Sequence, residues 1–333
     1  MRSRIVATVL SALALAAAPA CTPGSAGMPS PAPVARVEVL RQTPAEITRT
    51  TASLRRVDDL PMYRMAYHGG YDAEAPLTDE ELARPADGWA CSLFHREGEF
   101  GRNFDWDPSP AMIVRARPPG GHASVSLADV SYLFEAGHGA PDLADPQDRR
   151  RLAHAVLAPF DGMNDQGLAI GLAAAPDARL PAARPGNATV GGLRIIRLVL
   201  DRAASVPEAI ELMRRYDIDF TGGPQLHYLI ADRAGRSAVV EYGEGRVNVL
   251  DERYLTNIAL TGADRATKLA DRRYRLLAEG GRTEAMELLR KVAQPHTRWS
   301  VVYDLDAGTG RLVTGQRWDR VHEIGLAPEP PES

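Results

Sequence analysis

Apolar positions gather near the amino terminus and again from residue 91 onward, with a polar, turn-rich stretch between them. The first apolar run, residues 5–18, follows Arg2 and Arg4 and ends at Ala18-Pro19-Ala20. That order of basic, apolar and small residues is that of a secretory signal peptide. The run is shorter than the about 20 residues that a membrane-spanning helix needs. Residues 22–33 (TPGSAGMPSPAP) form a Pro/Ser/Gly tether. Residues 35–59 mix strand and loop, Met62, Met65 and Tyr67 fit a short strand, and residues 72–88 are an acidic, loop-like linker.

From residue 91 the pattern is that of alternating hairpins and helices. Residues 91–94 and 100–106 are short apolar runs flanking HREGE, a hairpin with His95 in its turn. Residues 111–117 and 123–134 are strands separated by RPPGGH, residues 150–158 a helix, and 168–175 a buried strand of small residues. Apolar spacing predicts helices over 190–204 and 206–216, the second with Pro207 in its first turn. Residues 225–231 and 237–242 bracket DRAGR as a hairpin; 264–279 and 283–292 are helical; 299–305 and 311–316 close the chain as a last hairpin. Hairpins at both ends with helices between them predict an α+β fold with largely antiparallel sheet.

Composition narrows the chemistry. The 333 residues are 44% hydrophobic and 25% charged, as in folded proteins, and the net charge of −4 argues against general nucleic-acid binding. Two cysteines exclude a disulfide scaffold, and eight scattered histidines without HExxH or CxxC exclude a recognisable zinc site. No cofactor is expected. Cys21, just after the cleavage site, is a candidate for lipidation, the one expected membrane attachment; otherwise it is an incidental cysteine. The sequence leaves the oligomeric state open.

Cys91 is then the only cysteine left once the signal region is set aside. A lone cysteine is ordinarily a buried structural residue. Arg102 and Asp105, on the returning strand, change that reading. A cation there would lower the thiol pKa and a carboxylate would hold an ammonium in place, although the two could also form a plain ion pair within the hairpin.

Five motifs share a pattern in chain order: CSLF…FGRNFDW from Cys91 to Trp106, Asp161-Gly162-Met163-Asn164-Asp165-Gln166-Gly167-Leu168, Tyr254-Leu255-Thr256-Asn257, Asp271-Arg272-Arg273-Tyr274, and Trp299-Ser300-Val301-Val302-Tyr303-Asp304. Together they resemble the choloylglycine hydrolase family of N-terminal-nucleophile cysteine amidases. That family includes bile salt hydrolases and penicillin V acylases, with acid ceramidase related. The stretch SLRRVDDLPMYRMAYHGGYD before the cysteine resembles the amino-terminal piece of the longer, ceramidase-like branch.

The resemblance implies a four-layer αββα fold. It divides the chain into a signal peptide (1–20), the tether (21–34), a pro-segment or small subunit (35–90) and a catalytic domain (91–333). It implies cleavage between Ala90 and Cys91, freeing an α-amine that serves as base to the Cys91 thiol. By motif position Arg102 and Asp105 tune Cys91, Asn257 donates to the oxyanion, and Arg273 carries the late arginine's role, with Arg272 adjacent. Trp106, Ala174 and Asn164 are candidate substrate contacts, Asn164 also fitting a turn-shaping role. The substrate class is a small N-acyl amide with a linear, non-peptide C–N bond, cut in the cell envelope or outside the cell.

The chain departs from the family where bile salt hydrolases carry Asn and penicillin V acylases Tyr. Here stand Ala173-Ala174-Ala175, which leaves the second oxyanion donor unassigned and fits a roomy apolar acyl pocket. Two alternatives stay open: an uncut thiol hydrolase using His95 or another histidine as base, and a non-catalytic envelope lipoprotein retaining the fold. His227, inside an apolar strand, reads as a satisfied core histidine. Trp299 and Trp318 read as core or rim packing, and Arg149-Arg150-Arg151 as a solvated helix start.

Overall fold

A computed structural model of the chain describes residues 38–60, 62–76, 90–107, 110–134, 140–176 and 179–327. The signal peptide, the tether, Cys21 and most of the acidic linker lie outside the described residues. Two large sheets carry the chemistry. The six-stranded sheet runs, edge to edge, Tyr254–Leu255, Ala90–Arg96, Glu99–Asp105, Thr297–Asp304, Thr309–Thr314 and His322–Gly325. The nine-stranded sheet runs Arg246–Leu250, Ser237–Gly243, Leu226–Asp232, Leu168–Ala174, Asp161–Asn164, Ser124–Asp129, Ala111–Ala116, Met62–Tyr67 and Arg55–Asp58.

The sheets meet through a core that includes Leu93, Phe100, Phe104, Ile170, Leu172 and Leu229, all fully buried. Helices Arg194–Arg202 and Val206–Met213 cover the nine-stranded sheet, and helices Arg272–Glu279 and Ala285–Val292 cover the six-stranded one. Phe94 marks that outer face, packed with Leu277, Leu288, Leu289 and Val292. The layers are therefore αββα, as the motifs imply.

The hairpin that holds Cys91 follows from its turn chemistry. Glu97 and Gly98 both take positive φ (50° and 78°), the pair that a two-residue type I′ turn requires. This turn sets the register, so Cys91 faces Phe104 and Ala90 faces Asp105 across the strands. Gly101 lies against Phe94: a Cβ there would sit 2.3 Å from ring atoms, so the close approach admits no side chain.

Several expected elements are corrected. His95 is not in the turn but in the strand Ala90–Arg96, with 1% of its surface exposed. Its neighbours in the hairpin are long enough to keep pairing to Arg96, and the turn shrinks to two residues. The helix over 264–279 is two helices, Arg265–Ala270 and Arg272–Glu279, broken at Asp271. Asp271 takes extended backbone and accepts the Tyr274 N–H, ending one helix while capping the next. The helix over 190–204 begins only at Arg194, because Gly191-Gly192 ends a short strand, Thr189–Gly191, paired with Asp217–Asp219. The strand over 123–134 stops at Asp129, whose side chain caps a 3-10 turn. Residues 35–59 contain a helix, Pro44–Ser53, started by a Thr43/Glu46 capping box.

Candidate active site

Cys91 is fully buried near the start of the strand Ala90–Arg96, and three parts of it are each held by a different element. Its backbone N–H donates to Asn257 Oδ1 at 2.7 Å. Its carbonyl oxygen accepts from Arg273 Nη1 at 2.6 Å. Its Sγ accepts from Arg102 Nη2 at 3.4 Å.

Arg102 comes from the next strand, Glu99–Asp105, and reaches the sulfur with no exposed surface. A buried guanidinium needs a counter-charge and saturated donors. Asp161 supplies the charge through Arg102 Nη1, and the Leu172 carbonyl accepts from Nη2 at 3.2 Å. Asp161 is held in turn by the Trp299 indole N–H at 3.1 Å and the Tyr303 hydroxyl at 2.6 Å. The Arg102 guanidinium also sits 4.9 Å from the Phe104 ring centroid and 5.6 Å from that of Trp299, a cation–π setting.

Asp105 closes the other side. Thr297 Oγ1 and Gln294 Nε2 (2.6 Å) donate to it, and Arg273 Nη1 lies 3.7 Å away. Burial pushes its carboxyl pKa up, opposed by those two hydrogen bonds and by Arg273. Burial likewise pushes the Cys91 thiol up, opposed chiefly by the Arg102 guanidinium. Burial thus favours the neutral thiol and Arg102 the thiolate.

Asn257 follows the two-residue strand Tyr254–Leu255, which pairs with Phe94 and Leu93. Besides Cys91, its Oδ1 accepts from Arg273 Nη2 at 3.0 Å, and its Nδ2 donates to the Ala174 carbonyl at 2.8 Å. The expected oxyanion donor is therefore on the Cys91 nitrogen through its oxygen and on Ala174 through its nitrogen. Arg273, not Arg272, turns inward: Arg272 is exposed, while Arg273 bridges Cys91, Asn257 and Asp105.

Asn164 is a correction. Its Nδ2 donates to the carbonyls of Leu200 and Ala203, at 3.0 and 2.8 Å, and its Oδ1 accepts from Gln166 and Leu168. Every polar group of this buried side chain is spent, Oδ1 on the turn and Nδ2 on the end of the helix Arg194–Arg202, which leaves nothing for substrate. Trp106 is half-buried against the main core, next to Asp105. Ala173 is buried and Ala174 half-buried.

His95 stands four residues beyond Cys91 on one strand, about 13 Å along it. Its ring nitrogens have no hydrogen-bond partner, so it does not form a Cys–His pair with Cys91. Asp161, Thr297 and Gln294 complete the site without having been singled out from sequence. Asp161 opens a motif that reads as a turn, and the other two carry no recognisable signal. Among the described residues no three His, Cys, Asp or Glu side chains converge as a metal site, and no helix is long and apolar enough to cross a membrane.

Comparison with known proteins adds a family match over part of the chain, and a fold. The family model for linear amide C-N hydrolases, choloylglycine hydrolase family, matches residues 154–259. A crystal structure of a cysteine-to-alanine mutant of conjugated bile acid hydrolase from Clostridium perfringens is 15% identical, with a TM-score of 0.53 over 71% of this chain and 92% of that one. An arginine-to-leucine variant of the same enzyme is 14% identical, with a TM-score of 0.50 over 72% and 92%. Penicillin V acylase from Agrobacterium tumefaciens is 17% identical, with a TM-score of 0.44 over 73% and 79%. No curated protein sequence matches. The matched residues include Asp161, Ala174 and Asn257; Cys91, Arg102, Asp105 and Arg273 lie outside them and join them by the contacts above. Residues 154–259 are thus similar to the linear amide C-N hydrolases of the choloylglycine hydrolase family, and the chain shares the fold of conjugated bile acid hydrolase.

Proposed function

We propose that this protein is an exported cysteine amidase that matures by cleavage before Cys91 and hydrolyses the linear C–N bond of an N-acyl amide. The observation that carries this is the grip on the Cys91 backbone nitrogen, 2.7 Å from Asn257 Oδ1. Any buried backbone N–H needs an acceptor; a side-chain acceptor, itself held by Arg273, can stay on the nitrogen once that nitrogen becomes a free amine.

In maturation, Cys91 Sγ attacks the Ala90 carbonyl carbon as the thiol proton passes to the departing Cys91 nitrogen. The C–N bond breaks and a thioester forms. Water hydrolyses that thioester, leaving a carboxylate on Ala90 and a free thiol and amine on Cys91. In turnover the amine, whose ordinary pKa is about 7.7–8.0, takes the thiol proton, and the thiolate adds to the substrate carbonyl. The ammonium returns its proton to the leaving amine as the C–N bond breaks. Water, deprotonated by the Cys91 amine, then splits the thioester and releases the acid.

Arg102 favours the thiolate. Asn257 Oδ1 and Asp105 hold the amine side, and Arg273 ties Asn257 to the Cys91 carbonyl. Asn257 Nδ2 becomes an oxyanion donor when it exchanges the Ala174 carbonyl for substrate oxygen; removing one such donor typically costs about 100–1,000-fold in rate. A cleft lined by Leu157, Ala158, Phe220 and Leu226, with Arg194 and Asp219 at its wall, would take the acyl group, since Leu226 pairs with Ala174 across the sheet. The pattern of residues 1–20 supports export, and Cys21 would be the point of lipid attachment.

The test is to incubate the purified protein with a panel of N-acyl amines and N-acyl amino acids and to look by mass spectrometry for an acyl adduct on Cys91. Hydrolysis with a Cys91-linked acyl group, both lost in Cys91→Ala, is expected. Hydrolysis that persists in Cys91→Ala would overturn the proposal.

A further inference from the structure

His227 is fully buried in the strand Leu226–Asp232, and the chemistry above makes no use of it. Its Nε2 donates to the Thr256 carbonyl at 2.9 Å, and its Nδ1 lies 3.1 Å from Glu241 Oε1. Glu241 is itself fixed. The Leu260 N–H donates to Oε1 at 3.0 Å and the Thr261 N–H to Oε2 at 2.6 Å. Burial alone would raise the Glu241 pKa; its hydrogen bonds bring it down to about 2, so the brace is a carboxylate.

Thr256 connects this pair to the active site in two directions. The next residue, Asn257, holds the Cys91 nitrogen. Thr256 Oγ1 donates to Asp271 Oδ1 at 3.1 Å, and that oxygen also accepts the Tyr274 N–H at 2.7 Å, capping the helix that presents Arg273 to the Cys91 carbonyl. Both grips on the Cys91 backbone are therefore anchored at Thr256, and His227 is the side chain that holds the Thr256 carbonyl.

We propose that His227, braced by Glu241, is a positioning residue that fixes Thr256 and through it sets both the Asn257 carboxamide and the Arg273 helix start on the backbone of Cys91. The inference rests on the reading of Cys91 as an amine nucleophile for its consequence in rate, though its geometry can be tested alone. A core histidine of purely structural role would affect folding; this one acts on how Cys91 is held.

The experiment compares wild type with His227→Leu, with His227→Gln, whose amide N–H can still donate to Thr256, and with Thr256→Val, which removes only the hydroxyl on Asp271. Thermal midpoint, extent of cleavage before Cys91, and the rate of Cys91 alkylation by iodoacetamide are measured on each. Expected is a loss of tenfold or more in cleavage and alkylation rate for folded His227→Leu, at least partial rescue in His227→Gln, and an intermediate loss in Thr256→Val. A folded His227→Leu protein that cleaves and alkylates like wild type would overturn the inference, as would losses that track only the folded fraction. A wild-type chain left uncut would instead refute the reading of Cys91 as an amine nucleophile. In that case crystal structures of the Leu and Val variants decide: displacement of Asn257 Oδ1 from the Cys91 nitrogen supports the positioning role, and an unchanged 2.7 Å contact rejects it.

Discussion

A guanidinium with no exposed surface, 3.4 Å from a sulfur, is an expensive thing to bury. Arg102 is tolerated because Asp161 neutralises it and because Trp299 and Tyr303 occupy the remaining carboxylate positions. Removing one partner of a buried pair typically destabilises by about 3–5 kcal/mol. Asp161→Asn, nearly isosteric, should therefore lower stability by about that much and slow Cys91 alkylation; an unchanged urea midpoint would show that the pair carries no such weight. His95 presents the opposite case, a buried titratable group without a partner. Burial, with Arg253 nearby, holds its pKa below the ordinary value. The unfolded chain then binds a proton more readily than the folded one, so His95 draws stability away as pH falls through and below about 6.5. Thermal midpoints measured from pH 7.5 to 5 should fall more steeply in wild type than in His95→Leu; parallel curves would contradict this.

At the scale of elements, the hairpin Ala90–Asp105 places three of the expected site residues, and its sequence is unusually explicit. The Glu97-Gly98 turn fixes register, and Gly101 permits the packing of Phe94. Gly101→Ala should cost about 1–3 kcal/mol, the usual range for overpacking, read as a lowered midpoint with the thiol still present; a neutral substitution would mean that Phe94 moves aside freely. This hairpin was legible because its turn chemistry and apolar pattern agree. The break at Asp271 was not, because the apolar period runs on through it while one aspartate ends one helix and caps the next. The helix Pro44–Ser53 was signalled by T-P-A-E, a cap with little apolar periodicity behind it. Asp161 and Asn164 sit three residues apart in one motif, yet one pairs with Arg102 beside Cys91 and the other ties its own turn to the end of the helix Arg194–Arg202. Only tertiary contacts separate those two roles.

For the whole molecule, the segment before Cys91 bears directly on the proposed maturation. Met62–Tyr67 pairs in parallel with Ala111–Ala116 along its full length, burying Met62, Tyr63, Met65 and Tyr67. Tyr71 donates to Asp201 at 2.9 Å, and Arg194 donates to the Asp72 carbonyl at 3.1 Å. A strand inside a sheet is not released by one cut elsewhere, so residues 38–76 should stay bound as a small subunit after cleavage. On size exclusion under native conditions the two fragments should elute together and separate only in denaturant; a freely eluting small fragment would contradict that. The fold class and the residues around Cys91 were readable from five ordered motifs, whereas the hydrogen-bond partners that hold those residues were not, since they come from positions distant in sequence. The most direct test of the central claim is intact mass with amino-terminal sequencing of the purified protein. A fragment beginning Cys91-Ser92-Leu93-Phe94 is the expected result, whereas a single chain running unbroken through Ala90 and Cys91 in protein active on amides would contradict the free-amine mechanism.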